Sequence, residues 1–79
     1  MPYVYIVRCA DGTYYTGWTA DVARRVAAHN AGRGGRYTRS RRPVALIYQE
    51  EAPDRRAALR REAAIKGYTR EQKERLVGG

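Results

Sequence analysis

Two short segments rich in aromatic and β-branched residues, 3–8 and 13–18, are separated by a turn that contains Ala10-Asp11-Gly12. This arrangement predicts a β-hairpin at the start of the chain. The 79 residues are expected to form one domain, 1–79, and a domain of this size buries only roughly 60–65% of its unfolded surface. Because so thin a core has little room for polar groups, a polar side chain at a core-facing position calls for an explanation.

The length of the hairpin loop decides which residues face each other. A two-residue Asp-Gly loop would send Tyr5 and Tyr15 to opposite faces. A three-residue loop, with Gly12 in the left-handed region, places Gly17 opposite Tyr5 instead. We expect the three-residue loop, because it puts both tyrosines and Gly17 on one face and leaves space over the ring of Tyr5. The alternative is a half-buried hairpin whose tyrosines pack edge to edge.

A helix is predicted over residues 20–30, with Thr19 as its N-cap and Gly32 just beyond its end. The stripe that should face the sheet, read at intervals of three and four residues, holds two valines together with Arg25 and His29. A lone helical histidine is commonly a surface residue or a satisfied core residue. An arginine and a histidine together on an apolar stripe are rarer, so we interpret them as functional.

The segment 32–43 has three glycines and no apolar periodicity, which predicts a long loop. It is strongly basic and contains no acid. Of the sixteen basic residues in the chain fourteen are arginine, whose planar guanidinium pairs well with phosphate. The alternative is a solvated basic surface from an arginine-rich proteome. We expect this segment to bind nucleic acid through Arg33, Arg36, Arg39, Arg41 and Arg42, with Tyr37 stacking on a base.

A third strand is predicted over residues 44–50 from its apolar and β-branched content. Strict alternation would place Val44, Leu46 and Tyr48 on one face of this strand. Because Pro43 lacks a backbone N–H, it should mark the start of the strand or an edge.

The last two helices are predicted from their capping residues. One covers residues 55–66, with Asp54 as its N-cap and Gly67 at its end. The other opens with a capping box formed by Thr69 and Gln72. The element order β-β-α-β-α-α predicts an α+β fold, a small three-stranded antiparallel sheet flanked by about three helices.

An acidic residue, Glu62, is predicted at the centre of the apolar face of the 55–66 helix. Leu59 precedes it by three residues and Ile65 follows it by three, so both should pack beside it. A carboxylate on an otherwise apolar helix face is as unexpected as Arg25 on the apolar stripe of its own helix. Two interpretations stay open: Glu62 is a metal ligand, or it forms a structural salt bridge with Arg25 or another arginine.

The remaining composition narrows the class of protein. The single Cys9 excludes an intramolecular disulfide, and no cysteine and histidine cluster has zinc spacing. The first apolar run ends at Arg8, which makes it too short for a signal peptide or a membrane span. We expect a cytoplasmic protein with no membrane association and no obligate protein partner.

Taken in order, four motifs of the chain resemble those of the small stand-alone GIY-YIG proteins, bacterial relatives of the GIY-YIG endonuclease domain. They are Tyr3-Val4-Tyr5, Tyr15-Thr16-Gly17 and the helical segments 21–29 and 59–63. Each triplet alone is a weak signal, but the ordered set is specific and covers nearly the whole chain. The first triplet keeps only its tyrosine, and no clear equivalent follows Glu62 for the asparagine that larger nucleases often carry.

The resemblance implies hydrolysis of phosphodiester bonds with one divalent cation, Mg²⁺ or Mn²⁺, and nucleic acid as the partner, DNA in preference to RNA. A tyrosine has a reference pKa of about 10, so its ionisation at neutral pH costs about 4 kcal/mol unless nearby positive charge lowers the pKa. We expect the site to supply that charge. In the implied roles Tyr5 activates water, Tyr15 supports the site and contacts phosphate, Arg25 stabilises the transition state, His29 assists the tyrosine and Glu62 binds the metal.

Two other functions fit a basic chain of this kind. One is a non-catalytic nucleic-acid-binding module whose tyrosines stack on bases, and the other is a structural basic protein of a ribonucleoprotein. A pure phosphate binder gains nothing from an acid at its cationic centre. Glu62 therefore favours the enzyme.

Overall fold

The chain, described over residues 1–79 by a computed structural model, folds into three strands and four helices. The strands form one antiparallel sheet in which the first strand is central. This confirms the predicted α+β fold, with one helix more than expected. In chain order the elements are β1 (Tyr3–Arg8), β2 (Tyr14–Thr19), α1 (Val22–Asn30), α2 (Arg36–Arg39), β3 (Ala45–Glu51), α3 (Arg55–Lys66) and α4 (Arg70–Gly78).

The hairpin between β1 and β2 has the three-residue loop that the sequence predicts. Tyr5 faces Gly17 across the pair. The Cys9 N–H donates to the Thr13 carbonyl at 2.8 Å, which closes the ladder around a loop of three residues. Gly12 has φ +86°, the left-handed conformation that glycine adopts without a Cβ penalty. The register therefore puts Tyr5 and Tyr15 on one face of the sheet.

The central strand β1 is buried on both faces because helices cover both sides of the sheet. Val4 and Ile6 face α3, whereas Tyr5 and Val7 face α1. Each fully buried valine or isoleucine contributes about 1.5–3 kcal/mol, so these few side chains hold much of so small a domain together. The α3 side of the core comprises Val4, Ile6, Ala52, Ala58 and Ile65, and the α1 side comprises Tyr5, Val7, Cys9, Val22 and Val44.

Helix α1 begins two residues later than predicted, and its N-cap is Asp21 rather than Thr19. The Asp21 carboxylate accepts a hydrogen bond from the Arg24 N–H at 3.1 Å. The Thr19 hydroxyl instead accepts from the Asp21 N–H at 3.2 Å, in a turn before the helix. Both side chains are good caps, and the carboxylate also interacts favourably with the helix dipole.

The sequence predicted a long structureless loop over segment 32–43. The segment instead contains the short helix α2. Gly35, with φ +143°, immediately precedes this helix. Thr38 is its one buried residue, with 1% of its surface exposed. A single helical turn with one buried side chain is too short to show apolar periodicity, which is why the sequence pattern did not predict it.

The predicted faces of the third strand are wrong because β3 contains a bulge. Ile6 pairs with Tyr48 and the next residue of β1 pairs with Leu46, so Ile47 has no partner. This extra residue shifts the alternation by one. Val44 therefore lies on the α1 side of the sheet, Tyr48 packs on the α3 side, and Leu46 is 40% exposed.

The predicted bounds of α3 and the predicted start of α4 are confirmed. The Asp54 carboxylate accepts from the Ala57 N–H at 2.8 Å, and Gly67 follows the last residue of α3. Thr69 and Gln72 form the reciprocal capping box at the start of α4. None of the helices combines the length and apolar character that a bilayer crossing requires.

Candidate active site

A buried chain of three polar side chains connects β1, α1 and α2. The Tyr5 hydroxyl lies 2.8 Å from Nε2 of His29, and Nδ1 of the same ring lies 2.7 Å from Oγ1 of Thr38. The three residues are each at most 1% exposed. The sequence predicted that Tyr5 and His29 share a site, and the structure brings them together. Thr38 was missed, because one threonine among arginines carries no signal in the pattern.

Tyr15 lies beside this chain on the same face of the sheet. Its ring packs against the edge of the His29 imidazole, with centroids 5.4 Å apart and planes at 68°. On α2, Tyr37 stacks on Tyr15 at 5.8 Å with planes at 25°. The aromatic stack therefore holds α2 against the residues that the sequence placed in the site.

Two glycines let the backbone approach the site closely. A Cβ on Gly17 would lie 2.6 Å from the Tyr5 oxygen, so glycine here provides the space over the ring that the register predicts. A Cβ on Gly34 would lie 2.5 Å from Cγ of His29 and closer still to Nδ1. The role of Gly34 was not predicted, because a glycine in a glycine-rich segment looks like one more flexible residue.

Arg25 is half-buried next to this chain and makes no ion pair with Glu62. Its Nη2 donates to the Gly34 carbonyl at 2.9 Å, which ties α1 to the segment before α2. The nearby guanidinium also lowers the pKa of the Tyr5 phenol. The interpretation of Glu62 as a salt-bridge partner of Arg25 is therefore wrong.

Glu62 lies on the buried stripe of α3, between Ala58 and Ile65, with 17% of its side chain exposed. Its Oε2 is 3.4 Å from Nζ of Lys66, one turn later on the helix. The charge of Glu62 acts on the Tyr5 phenol and raises its pKa. Leu59 was predicted to pack beside Glu62 but is 42% exposed, since it lies one position away from this stripe.

Burial decides the protonation of both members of the central pair. Desolvation raises the pKa of Tyr5, and it outweighs the lowering by Arg25. Desolvation also lowers the pKa of His29, and the nearby charge of Arg25 lowers it further. The expected lowering of the tyrosine pKa is therefore not provided by these side chains. At neutral pH the pair consists of a phenol and a neutral imidazole.

We predict that the free energy of unfolding falls as the pH is lowered from about 7 to about 5. His29 is the only histidine in the chain, so it is the side chain expected to take up a proton in this range. Its pKa is lowered in the folded state, so the unfolded chain, with a histidine pKa of about 6.5, binds more protons below that pH. Stability is then fully present above about pH 6.5 and falls by at most about 1.4 kcal/mol per pH unit below it. Urea unfolding at the two pH values measures this change, and His29→Gln should remove it. A pH-independent wild type would mean that the imidazole is not held neutral.

The one carboxylate of the site fits one kind of cation. No group of three or more histidine, cysteine, aspartate or glutamate side chains comes together anywhere in the protein, so a caged zinc or calcium site has no ligands. A single, largely buried carboxylate is what Mg²⁺ or Mn²⁺ uses when waters and substrate oxygens complete its shell. Glu62 offers that carboxylate, and the donor set therefore fits a hard cation that is bound together with a substrate.

Two of the predicted nucleic-acid-binding arginines, and Tyr37 with them, make contacts within the protein. Arg41 donates to the Asp11 carboxylate at 3.0 Å, and its guanidinium carbon lies 4.0 Å from the ring centroid of Tyr37. Arg42 donates to the Arg39 carbonyl at 2.9 Å. A base could reach the Tyr37 ring only by displacing Arg41. The side chains of Arg33, Arg36 and Arg39 are exposed and make no hydrogen bond or ion pair.

A polar recess of about 480 Å³ lies at the end of α2. Two arginines line it, and none of its lining residues is hydrophobic. This chemistry suits an anion rather than an apolar ligand. The lining residues are Asn30, Arg39, Ser40, Arg42 and Pro43.

Comparisons with known proteins show the family and the fold of the chain. Residues 1–75 match the model of the GIY-YIG catalytic domain. A UPF0213 protein of Halobacterium salinarum is 55% identical over 96% of this chain and 99% of its own length, and one of Staphylococcus haemolyticus is 51% identical over 95% and 92%. Similar proteins therefore occur in archaea as well as in bacteria. The solution NMR structure of a UPF0213 protein from Bacillus halodurans, 44% identical, superposes with a TM-score of 0.63 over 99% of this chain and 84% of that one.

Proposed function

The chain belongs to the GIY-YIG family, and we propose that it is a metal-dependent endonuclease that hydrolyses phosphodiester bonds, those of DNA in preference to RNA. The family is one of nucleases. The observation that carries the proposal is the buried hydrogen bond of 2.8 Å between Tyr5 and His29, beside Arg25 and within the field of Glu62. A base, a positive charge and a carboxylate for a cation are the groups that phosphodiester hydrolysis needs.

Activation of water in this proposal uses both members of the buried pair. Because burial raises its pKa, Tyr5 is a protonated phenol at neutral pH before the reaction begins. As the attacking water loses a proton to the Tyr5 oxygen, the phenolic proton passes to Nε2 of His29. The water oxygen forms the new bond to phosphorus, the bond to the leaving oxygen breaks, and solvent protonates that oxygen. The two proton transfers occur together, so neither a free tyrosinate nor a free hydroxide has to form.

Arg25 and Tyr15 act on the phosphate in this proposal. The guanidinium of Arg25 is held in place by the Gly34 carbonyl, so its charge is already oriented when negative charge grows on the phosphate oxygens. Tyr15 packs on the His29 ring and fixes its plane. We assign Tyr15 the role of supporting the imidazole and contacting the phosphate with its hydroxyl.

Glu62 would hold the metal ion. When bound, the cation stabilises charge on the phosphate and leaving-group oxygens. Lys66 is 51% exposed on a flexible stem, so its ammonium can leave the carboxylate free for the cation. A carboxylate with 17% exposure keeps one side open to a ligand that arrives with the substrate.

The nucleic-acid interface in this proposal is divided between two sets of arginines. Arg33, Arg36 and Arg39 have no partner within the protein and would contact phosphates directly. Arg41 and Arg42 hold α2 in place through Asp11 and the backbone. The polar recess at the end of α2 would accept one backbone phosphate.

We predict that a triple substitution to glutamine, at Arg33, Arg36 and Arg39, makes the plot of log K against log salt less steep. The slope should fall by up to ~0.9 for each duplex phosphate that is no longer neutralised. The three exposed side chains make no hydrogen bond or ion pair within the protein, so the fold should be unaffected. Fluorescence anisotropy with a labelled duplex over a range of salt measures the slope. The matched control removes the same charge at Arg8, Arg56 and Arg60, which are also exposed and make no ion pair. Its slope should stay steeper than that of the first variant. Equal slopes in the two triple variants would mean that net charge, not this segment, drives binding.

A cleavage assay separates the enzyme from a non-catalytic nucleic-acid-binding module. Wild-type protein is incubated with single-stranded, duplex and branched DNA and with the matching RNAs, in Mg²⁺, Mn²⁺ or chelator. We expect metal-dependent cleavage of at least one DNA substrate. Tight binding without cleavage of any substrate in either metal would overturn the proposal in favour of the binding module.

A further inference from the structure

The buried threonine of α2 has a defined task in this site. We propose that Thr38 is a positioning residue that fixes the tautomer of His29, so that Nε2 can accept the proton of Tyr5; this inference rests on the function proposed above. The Thr38 hydroxyl is 2.7 Å from Nδ1, and the Tyr5 hydroxyl is 2.8 Å from Nε2. The imidazole thus has one partner on each nitrogen, and the two partners control which nitrogen carries the proton.

The chain of two hydrogen bonds can run in only two directions while the imidazole is neutral. In the first, Nδ1–H donates to Thr38 and the Tyr5 hydroxyl donates to Nε2. In the second, the Thr38 hydroxyl donates to Nδ1 and Nε2–H donates to the Tyr5 oxygen. Only the first leaves a lone pair on Nε2 for the phenolic proton. The direction of the chain therefore decides whether His29 can act in the reaction.

The surroundings of Tyr5 favour the first direction. The guanidinium of Arg25, which donates to the Gly34 carbonyl, has no acceptor to offer the phenol. The phenolic proton of Tyr5, which makes only one hydrogen bond, therefore goes to Nε2 of His29. A phenol, with a pKa of about 10, is also a far stronger acid than an aliphatic alcohol, so the basic nitrogen accepts from Tyr5 in preference to Thr38. Thr38 then has to be the acceptor of Nδ1–H.

No other group can replace Thr38 in this position. His29 is fully buried, and Gly34 lies so close over the Nδ1 side of the ring that a methyl group would not fit between them. Water therefore has no route to Nδ1. An isosteric valine at position 38 would keep the packing but leave the buried Nδ1–H without an acceptor, which is unfavourable. Moving the proton to Nε2 lets the Tyr5 oxygen accept it, while the phenolic proton turns to the water that the proposed function places beside that oxygen. In this tautomer Nε2 has no lone pair for the proton of Tyr5, so the site is blocked.

The tautomer can be measured directly because the chain has a single histidine. Long-range ¹H–¹⁵N correlation spectra of the imidazole distinguish a protonated from an unprotonated ring nitrogen. For the wild type we expect protonated Nδ1 and unprotonated Nε2. For Thr38→Val we expect the proton on Nε2, a single-turnover cleavage rate about tenfold or more below wild type and an unchanged substrate KM. Thr38→Ser keeps the hydroxyl and should restore the wild-type spectrum and rate.

Thr16→Val is the matched control. Thr16 is also buried, with 2% exposure, but its hydroxyl has no hydrogen-bond partner. Its loss should leave the imidazole spectrum and the cleavage rate unchanged.

The outcomes separate this inference from the proposed function. A wild-type spectrum with the proton on Nε2, or a Thr38→Val spectrum identical to wild type, would overturn the role of Thr38. If Thr38→Val does not fold, Thr38→Ala replaces it, with the same expected move of the proton to Nε2, and a wild-type spectrum with the proton on Nε2 overturns the role of Thr38 without any variant. If no protein of the set cuts nucleic acid but the tautomer changes as expected, the proposed function fails while the control of the tautomer by Thr38 stands.

Discussion

Glu62→Gln is expected to abolish cleavage while leaving the protein folded. Glutamine keeps nearly the same volume and removes the charge, so the one carboxylate that fits a hard cation is lost. Metal ions supply several kcal/mol of transition-state stabilisation, and each 1.36 kcal/mol is a factor of ten in rate. We therefore expect cleavage to fall by at least about 100-fold, and Mn²⁺ affinity, measured by calorimetry in the presence of an uncleavable substrate analogue, to fall with it.

Stability and nucleic-acid binding should respond differently to this substitution. The only ion pair of Glu62 is with Lys66, an i,i+4 pair of the kind that contributes about 0.3–0.5 kcal/mol. The midpoint of urea unfolding should hardly move. Binding to DNA without metal should persist or tighten, because a negative charge has been removed from a cationic surface.

The control for Glu62→Gln is Glu74→Gln. Glu74 also pairs with a basic residue one turn away, Arg70, but its side chain is 53% exposed on α4. The two variants have the same net charge, so an effect of overall charge on DNA binding or metal affinity would appear in both. A Glu62→Gln protein that cuts at the wild-type rate would refute the role of Glu62 as a metal ligand.

The parts of the site that follow from periodic structure could be predicted from the sequence. A strand has a side-chain period of two, so the choice of a three-residue loop was enough to place Tyr5, Tyr15 and Gly17 on one face. A helix has neighbours at three and four residues, so Arg25 and His29 were expected to face that sheet together. These arguments need only the chain itself, and the resemblance to GIY-YIG proteins agrees with them.

The parts that depend on irregular backbone could not be predicted. The bulge at Ile47 depends on tertiary packing across the sheet, and α2 is one turn long. Thr38 and Gly34 are placed by that turn, so their contacts with His29 have no periodic signal. The internal partners of Arg41 and Arg42 come from the same segment, and the sequence showed only their charge.

The protonation of the tyrosine was misjudged for a different reason. The sequence shows that Arg25 is near Tyr5, and nearby positive charge lowers the pKa of a phenol. It does not show how completely the side chain is buried, and Tyr5 is 1% exposed. Desolvation is the larger of the two effects on its pKa. The consequence is a site in which the phenol needs a neutral histidine as proton acceptor.

Gly34→Ala is expected to have the largest effect on the fold among substitutions of the site. A Cβ at this position would lie 2.5 Å from Cγ and 2.7 Å from the backbone Cα of His29. Rotation of the imidazole cannot relieve a clash with Cα, so the segment before α2 has to move away from α1. That movement would stretch the hydrogen bond from Arg25 to the Gly34 carbonyl and draw Thr38 away from Nδ1. Overpacking of this kind costs about 1–3 kcal/mol, a large share of the stability of a small domain.

The matched control is Gly78→Ala, where a Cβ would meet nothing within 4 Å. Neither Gly34 nor Gly78 has a positive φ, so alanine strains the backbone at neither position, and the main difference between the two variants is the space around the methyl group. Because alanine is the better helix former, Gly78→Ala should be neutral or slightly stabilising. Gly34→Ala should lower the urea midpoint of unfolding without changing the dependence of the free energy of unfolding on urea concentration. It should also reduce cleavage and change the imidazole spectrum of His29. If Gly34→Ala unfolds at the wild-type midpoint with an unchanged imidazole spectrum, the close approach of this backbone does not hold the site together.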